Sequence, residues 1–208
     1  MGNLVLGCIP SIIDGTEKIF ELEEKIEIPE TYTYRNVLPP ILNQGNQQIC
    51  VPCTLSAYLN WKENLKNGSN IDNKIKIMDI YKNRSNYSEG MSYKDAFKFL
   101  KTKGVKSENG TLKINSYGKI NSSMMLKYAL IMNGPCFGAL PVYSDNCEFW
   151  RQRHREDLEG YHAIALVGYD ENGIIIRNSW GKSFCDNGYT ILPYEDFDKL
   201  LEIWTILD

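Results

Sequence analysis

The fold is decided by residues 161–181, which read YHAIALVGYDENGIIIRNSWG. Two apolar runs, His162 to Tyr169 and Ile174 to Trp180, stand on either side of the polar turn Asp170-Glu171-Asn172-Gly173. Short apolar runs of this kind predict strands, and an Asn-Gly turn between them predicts a hairpin. Cys136 to Val142 and Gly188 to Leu192 are also short and apolar. We therefore predict that the second half of the chain is β-rich.

The first half has helical patterns instead. Apolar residues recur there at helical spacing, between serines that suit an N-cap and glycines that stop a helix. The predicted helices begin near Cys50 and stop at Asn67-Gly68, begin at Ser92 with Asp95 as capping-box partner and stop at Gly104, and run from Ser122 or Ser123 to Met132 before Asn133-Gly134. Helices followed by strands indicate an α+β fold or two lobes.

Composition limits the possible classes of function. The chain has 208 residues, 43% hydrophobic, and a net charge of −3. This predicts one compact domain, which we assign to residues 36–208, after a tail or wrapping segment at 1–35. No basic block suggests nucleic acid as a partner, and no apolar run is long enough to span a membrane. We recognise no signal peptide, so a cytoplasmic or virion-associated protein is favoured over a secreted one. The oligomeric state stays open.

Six cysteines stand at positions 8, 50, 53, 136, 147 and 185. An even number suggests disulfides in a small secreted protein, but this chain is larger and shows no signal. We therefore expect free thiols and no essential disulfide.

Four residue types in the chain suit acyl transfer through a thiol. Cys50 stands at a predicted helix start, where the helix dipole lowers a thiol pKa. His162 can act as its base and then as the acid for the leaving amine. Asn178 can orient the imidazole, and Gln44 can donate to an oxyanion. Taken singly, His162 also suits a structural role, and Gln44 and Asn178 also suit polar surface.

Four blocks, in this order, resemble the papain family of cysteine peptidases, and most closely its compact bacterial and viral members. The segment Asn43-Gln44-Gly45-Asn46-Gln47-Gln48-Ile49-Cys50 resembles the run from oxyanion donor to nucleophile, and Tyr161 to Tyr169 resembles the histidine strand. Arg177-Asn178-Ser179-Trp180-Gly181, followed by Asn187-Gly188-Tyr189, resembles the family's Asn-Ser-Trp-Gly block.

The resemblance implies a two-lobe papain-like fold with a cleft between a helical lobe, at about 36–133, and a β lobe, at about 134–208. It implies a cysteine endopeptidase that works through a Cys50 thioester on a peptide or protein substrate, with no cofactor and no metal. Trp180 is then expected to shield the bond between the histidine and the asparagine. The implied cleft residues are Glu89, Gly90, Met91, Tyr161 and Ala163.

The chain also departs from the family pattern. Gln48-Ile49 and Val51 replace the usual Gly-Ser before the nucleophile and the aromatic residue after it, and Gln47 replaces a half-cystine. Phe184 and Cys185 replace the Trp and Gly that follow the Asn-Ser-Trp-Gly block. These changes affect the expected subsites without removing a catalytic group. Residues 1–35 either cross the cleft or brace the lobes.

Three alternatives remain open. Cys50-Val51-Pro52-Cys53 has the form of a thiol–disulfide oxidoreductase motif, although a polar segment precedes it where such folds have a strand. Cys50, Cys53, His162 and Cys185 are zinc-type ligands, although their spacing lacks a second paired knuckle. A papain-like protein that is weakly active or only binds is the third alternative, because fold does not fix function.

Overall fold

The computed structural model describes residues 5–22, 24, 26–67, 75–84 and 89–208. The predicted helix stop at Gly68 lies outside these residues. Within them the chain forms four α-helices, nine β-strands and a 3-10 helix. The helices are α1 (Cys50–Asn67), α2 (Ile77–Tyr81), α3 (Tyr93–Thr102) and α4 (Ser123–Asn133). The strands are β1 (Tyr32–Thr33), β2 (Val105–Ser107), β3 (Gly110–Leu112), β4 (Ser116–Lys119), β5 (Cys136–Val142), β6 (Gly160–Tyr169), β7 (Gly173–Arg177), β8 (Tyr189–Pro193) and β9 (Glu202–Leu207), and the 3-10 helix is Tyr194–Lys199.

A large antiparallel sheet organises the second half of the chain. Its strand order is β4-β9-β5-β6-β7-β8, and β1 adds to β6 off this path. The predicted hairpin is present, because β6 and β7 pair antiparallel and Asp170 donates to the Gly173 carbonyl at 3.0 Å. β7 ends at Arg177, earlier than predicted. The backbone that follows leaves the ladder: Asn178 N–H bonds to Gly188, and the Ser179 carbonyl accepts from Gln44.

The three predicted helices are all present, and local signals fix their starts. The Ser92 and Ser122 hydroxyls accept from the N–H groups three residues ahead, in Asp95 at 3.1 Å and in Met125 at 3.2 Å. Such caps satisfy N–H groups that have no partner within the helix. Gly104 follows α3 with φ +78, a left-handed conformation that favours glycine. The short helix α2 and the strands β1 to β4 and β9 were not predicted.

Two hydrophobic clusters form the core of an α+β fold. One lies on the sheet and α4, with Leu130, Ile164 and Leu166 among its buried members. The other joins α1 and α3 to the sheet through residues such as Phe97 and Trp204. This confirms the predicted two-lobe fold class. The helix α4, which precedes the predicted lobe boundary at residue 133, packs with the sheet of the second half. The predicted boundaries at residues 35 and 133 therefore stay predictions.

The N-terminal segment contacts both clusters. Tyr32 and Thr33 form the strand paired with β6, and Phe20 N–H donates to Lys119 at 2.9 Å. Further towards the N-terminus, Lys94 of α3 forms ion pairs with Asp14 at 3.4 Å and Glu17 at 2.7 Å. Residues 5–9 then reach the start of α1.

The expectation of free thiols is wrong for two of the six cysteines. Cys147 and Cys185 form a disulfide with a Cα–Cα distance of 5.7 Å. They are 38 residues apart in sequence and meet only because two loops of the folded chain lie side by side. Cys8, Cys50, Cys53 and Cys136 are free and buried, as expected. A search of the described residues finds no helix with the length and apolar character that a membrane crossing requires.

Candidate active site

Cys50 is the first residue of α1 and has no exposed surface. Pro52 fits in the first turn, where its missing N–H needs no partner. The backbone N–H groups of Cys50 and Val51, at the start of the helix, point to the thiol and lower its pKa. Burial nevertheless has the largest effect, and the pKa of Cys50 is raised overall. The predicted lowering of the thiol pKa is therefore absent in this closed state.

His162 lies in β6, and Asn178 lies directly after β7. Their side chains meet, with Nε2 of His162 2.7 Å from Oδ1 of Asn178. Because an amide oxygen only accepts, this contact places the imidazole proton on Nε2. Nδ1 of His162 is buried and has no hydrogen-bond partner among the described residues. It is thus the nitrogen left for a reacting thiol.

Ser179 connects this pair to Gln44. Its N–H donates to Oδ1 of Asn178 at 2.7 Å, and its hydroxyl donates to Oε1 of Gln44 at 2.6 Å. The backbone N–H of Gln44 in turn donates to the Ser179 carbonyl at 2.8 Å. Since Oε1 is occupied by Ser179, the Gln44 amide nitrogen is turned the other way. A continuous set of hydrogen bonds therefore orders Gln44, Ser179, Asn178 and His162.

Three aromatic side chains enclose His162. Trp180 stacks on the imidazole, with ring centroids 4.5 Å apart and an interplanar angle of 28°. Phe149 meets the imidazole edge-on at 5.9 Å and lies 5.1 Å from Trp180, while Phe184 meets Trp180 edge-on at 5.1 Å. We call Phe149, Trp180 and Phe184 the aromatic wall. His162 and Asn178 are both buried beside it.

Burial controls the charge of the imidazole. It lowers the pKa of His162 to about 4, and the hydrogen bond with Asn178 offsets only part of this effect. Because the pKa of Cys50 is raised at the same time, both groups are neutral near pH 7. In this conformation burial therefore favours the neutral forms of both Cys50 and His162.

The N-terminal segment covers Cys50 and Gln44. Nε2 of Gln44 donates to the Val5 carbonyl at 2.8 Å, and it also contacts the Gln47 carbonyl at 3.1 Å. The Gly7 N–H reaches the Cys50 sulfur and lowers the pKa of this thiol, as the N–H of Ala163 also does. We call residues 5–9 the covering segment. It occupies the predicted oxyanion donor and presents an N–H, not a carbonyl carbon, to the thiol.

The predicted cleft residues hold this covering segment. The Met91 N–H donates to the Gly7 carbonyl at 2.9 Å, and the Met91 carbonyl accepts from Ile9 at 3.1 Å, so that Cys8 and Met91 form a parallel bridge. The Tyr161 carbonyl accepts from Cys8 at 3.4 Å.

The other cleft residues line the same space. A Cβ at Gly90 would lie 2.8 Å from the Gly7 carbonyl oxygen, so the segment passes directly over that residue. Ala163 is buried beside Cys50. Glu89 is exposed, and its carboxylate accepts from Gln48 at 2.9 Å.

Sequence reasoning missed Ser179, Phe149 and Phe184 as parts of the site, and it left open whether residues 1–35 cross the cleft, as the covering segment does. The sequence indicated Ser179 only as one residue of the Asn-Ser-Trp-Gly motif. Its two hydrogen bonds with Gln44 join residues that are far apart in sequence. Phe149 and Phe184 look like ordinary core aromatics. The one local signal for the covering segment was Gly7, where a Cβ would lie 2.3 Å from the Gln48 carbonyl oxygen.

The geometry also bears on the alternatives. Cys53 is buried, and burial raises its pKa to about 12, which suits an inert core thiol. Cys185 is bonded to Cys147 and is not free to bind zinc with Cys50, Cys53 and His162. No cluster of potential metal ligands occurs among the residues that the structure describes.

Comparison with known proteins identifies relatives over nearly the whole chain. A family model described as "Papain family cysteine protease" matches residues 33–198. Xylellain, a cysteine protease from Xylella fastidiosa, has a TM-score of 0.81 at 22% identity, over 98% of this chain and 96% of that chain. Procathepsin B S9 from Trypanosoma congolense has a TM-score of 0.79 at 14% identity, over 98% and 87%. These structural likenesses establish the fold.

Two curated relatives are longer proteins that this chain matches only in part. Procathepsin L from Felis catus is 24% identical over 213 aligned positions, which cover 83% of this chain and 63% of that protein. Cathepsin B-like CP3 from Giardia intestinalis is 38% identical over 69 residues, 29% of this chain and 23% of that protein. The chain thus spans less than two thirds of the length of these curated relatives.

Proposed function

Because the chain belongs to the papain family of cysteine proteases, we propose that it is a cysteine endopeptidase, with Cys50 as nucleophile and His162 as acid and base. The observation that carries the proposal is the hydrogen-bonded series from Gln44 through Ser179 and Asn178 to His162. It orients an oxyanion donor and an imidazole together, and a purely structural histidine needs no such arrangement.

The proposed reaction has two stages. Nδ1 of His162 takes the Cys50 proton, and the thiolate sulfur forms a bond to the carbonyl carbon of a peptide substrate. The oxyanion is held by Nε2 of Gln44 and the Cys50 N–H. His162 then gives its proton to the amine as the C–N bond breaks, which leaves a thioester. Water attacks the thioester, releases a carboxylic acid and restores the thiol.

The closed structure supports a latent form of this enzyme. The Val5 carbonyl takes the Gln44 donor, and Gly7 covers the Cys50 sulfur. A substrate carbonyl needs both places, so the covering segment has to move before the reaction. The segment is itself an unsuitable substrate in this pose, because the thiol faces an N–H. We propose that opening also admits water to Cys50 and to Nδ1 of His162, while the bond from Nε2 to Asn178 stays enclosed, and so permits the ion pair.

The test is labelling by an epoxide inhibitor directed at thiols, followed by intact mass measurement, together with a broad peptide library. We expect one label per chain in the wild type, a faster reaction in Gly7→Ala, and none in Cys50→Ala. Cleavage of library peptides should follow the same order. The enzyme proposal is rejected if neither the wild type nor Gly7→Ala is labelled or cleaves any peptide; a binding protein of papain-like fold then remains.

The finer predictions on partners and compartment belong to this proposal. A peptide or protein is the expected substrate, and we expect neither nucleic acid nor membrane as a partner. The Cys147–Cys185 disulfide removes one reason for expecting a reducing compartment, because such bonds persist in oxidising environments.

A further inference from the structure

The Cys147–Cys185 disulfide lies next to the aromatic wall. Phe149 follows Cys147 by two residues, and Phe184 directly precedes Cys185. Both rings are buried and lie against Trp180, with centroid distances of 5.1 Å each. The disulfide therefore joins the two loops that supply the outer rings of the wall. Its position is unrelated to the half-cystine that Gln47 replaces.

The loop from 181 to 188 has a backbone that needs an anchor. Gly181, Cys185, Asn187 and Gly188 all have positive φ, at 85°, 41°, 53° and 89°. For Cys185 this conformation is costly, because its side chain disfavours the left-handed region, whereas Asn187 belongs to a residue type that adopts it more readily. Tertiary contacts have to hold the loop in this form. Cys185 is the residue at which the loop is covalently tied.

The loop around Cys147 is held by bonds within the loop, such as those of Glu148 with Asn146 and Arg151, and by bonds from Trp150 and Arg151 to Asp196. Thr190 donates to the Cys147 carbonyl at 3.0 Å, and the Phe149 carbonyl accepts from Tyr143 at 2.9 Å. These bonds fix the backbone but leave the distance between Phe149 and Phe184 to the packing of the two loops. Phe149 and Phe184 are 6.4 Å apart, with Trp180 in contact with both.

We propose that the Cys147–Cys185 disulfide is a positioning device for His162, which keeps Phe149 and Phe184 closed around Trp180 and the imidazole. Its catalytic consequence rests on the function proposed above, whereas its effect on the imidazole does not. Opening the disulfide loosens both loops, admits water to the bond between His162 and Asn178, and lowers turnover.

The bond is accessible to a reductant. Cys147 is exposed and Cys185 is half-buried, whereas the four free cysteines are buried. A dithiol such as dithiothreitol transfers two electrons and two protons to the disulfide, which gives two protein thiols and the oxidised cyclic reductant. The same change is made permanently by Cys147→Ser, by Cys185→Ser, or by both together.

The primary measurement is an NMR titration of the imidazole ring protons in the full-length protein. The chain has two histidines, and exposed His154 serves as an internal reference for His162. Burial lowers the pKa of His162, and the hydrogen bond with Asn178 offsets part of this effect. Cys50 is the other titratable group of the proposed site. We expect His162 to titrate at about 4 in the wild type and closer to 6.5 in all three variants and after reduction.

Cys136→Ala is the matched control. Cys136 is a buried free thiol in β5, so its loss lowers stability without touching the aromatic wall. We expect the titration of His162 to be unchanged in this variant, although its melting temperature falls. The inference is overturned if His162 titrates alike in the wild type and the disulfide variants, because the disulfide then stabilises the fold without affecting the environment of His162.

Kinetics give the second measurement, normalised by inhibitor labelling of Cys50. In the disulfide variants we expect kcat to fall roughly tenfold, below the hundredfold that a 1 Å misplacement can cause, with KM little changed. An equal loss in Cys136→Ala contradicts the positioning role. If neither the wild type nor Gly7→Ala labels or cleaves, the proposed function fails, while the NMR titration still decides whether the disulfide controls the environment of His162.

Discussion

The two halves of the site are covered in different ways. Above Cys50 and Gln44 the cover is backbone, because Val5, Gly7 and Ile9 contact Gln44, Cys50 and Met91 through amide groups. Around His162 the cover consists of the side chains of the aromatic wall, whose ring centroids lie 4.5 to 6.4 Å from those of their ring neighbours. A disulfide secures the second cover and no covalent bond secures the first.

This difference suggests that the covering segment over Cys50 can be displaced, whereas the aromatic wall around His162 stays in place. Backbone groups that bond to one peptide segment can bond to another, so a substrate can replace the covering segment without loss of hydrogen bonds. Packed rings have no such substitute, and removing them leaves a cavity. The thiol half is therefore closed reversibly and the imidazole half permanently. The predictions below test this distinction, beginning with the largest effect.

The thiol half depends on one of two neighbouring cysteines. Cys50→Ala should abolish both cleavage and inhibitor labelling, because no other group in the site replaces the nucleophile. Cys53→Ala should keep most of the activity and cost about 1 to 3 kcal/mol of stability, since it only shortens a buried side chain. Labelling of the Cys50→Ala protein at Cys53, or loss of turnover in Cys53→Ala alone, would reverse the assignment.

In the imidazole half of the site, we expect His162 to be essential for turnover and Asn178 only to orient it. His162→Ala removes the base and the acid, and we expect kcat to fall about 10³-fold or more. Asn178→Ala removes the hydrogen bond that orients His162, which is worth about 1 to 3 kcal/mol, so we expect a loss of about ten- to hundredfold. Rates are compared at saturating substrate. Equal losses in the two variants contradict this division.

Local signals in the sequence were sufficient for much of the fold. Ser92 and Ser122 predict helix starts, because an N-cap needs only a hydroxyl that accepts from an N–H group in the first turn. The turn from Asp170 to Gly173 predicts a hairpin, because the turn residues themselves favour that backbone conformation. The four motif blocks placed Gln44, Cys50, His162 and Asn178 in one proposed site, and the structure supplies hydrogen bonds that join three of them through Ser179.

What the sequence did not predict depends on contacts between distant segments. The strand Tyr32–Thr33 has no pattern of its own and exists because β6 offers an edge. The Cys147–Cys185 bond joins loops whose approach no spacing rule predicts. The position of the covering segment follows from shape, since Gly7 fits against Gln48 where a larger residue does not.

The reversible cover can be loosened at that glycine. Gly7→Ala places a Cβ 2.3 Å from the Gln48 carbonyl oxygen, so the segment or the start of α1 has to shift. Overpacking of this kind costs about 1 to 3 kcal/mol, which predicts an increase in the labelling rate of Cys50 of about tenfold. Ile12→Ala is the matched control, because Ile12 lies close to the covering segment in sequence and has 83% of its surface exposed. If both variants label at the wild-type rate, the covering segment does not limit access.

The smallest expected effect concerns stability against pH, and it arises from the permanent cover. Burial lowers the pKa of His162 from 6.5 to about 4, so between these values the unfolded chain binds a proton that the folded chain does not. Stability therefore falls as the pH drops from 6.5 towards 4. At about 1.4 kcal/mol per pH unit the loss approaches roughly 3 kcal/mol, or a melting temperature lower by about 6 to 12 °C.

His162→Gln removes this titration and should flatten the dependence of melting temperature on pH in that window, whereas His154→Gln, at the exposed histidine, should keep the wild-type slope. The hydrogen bond with Thr16 is the main cause that lowers the pKa of Asp14 to about 2, and the bond with Lys94 lowers that of Glu17. Both carboxylates lose their stabilising effect mainly at lower pH, and they do so equally in all three proteins. A wild-type slope in His162→Gln would therefore show that the aromatic wall does not keep this imidazole neutral.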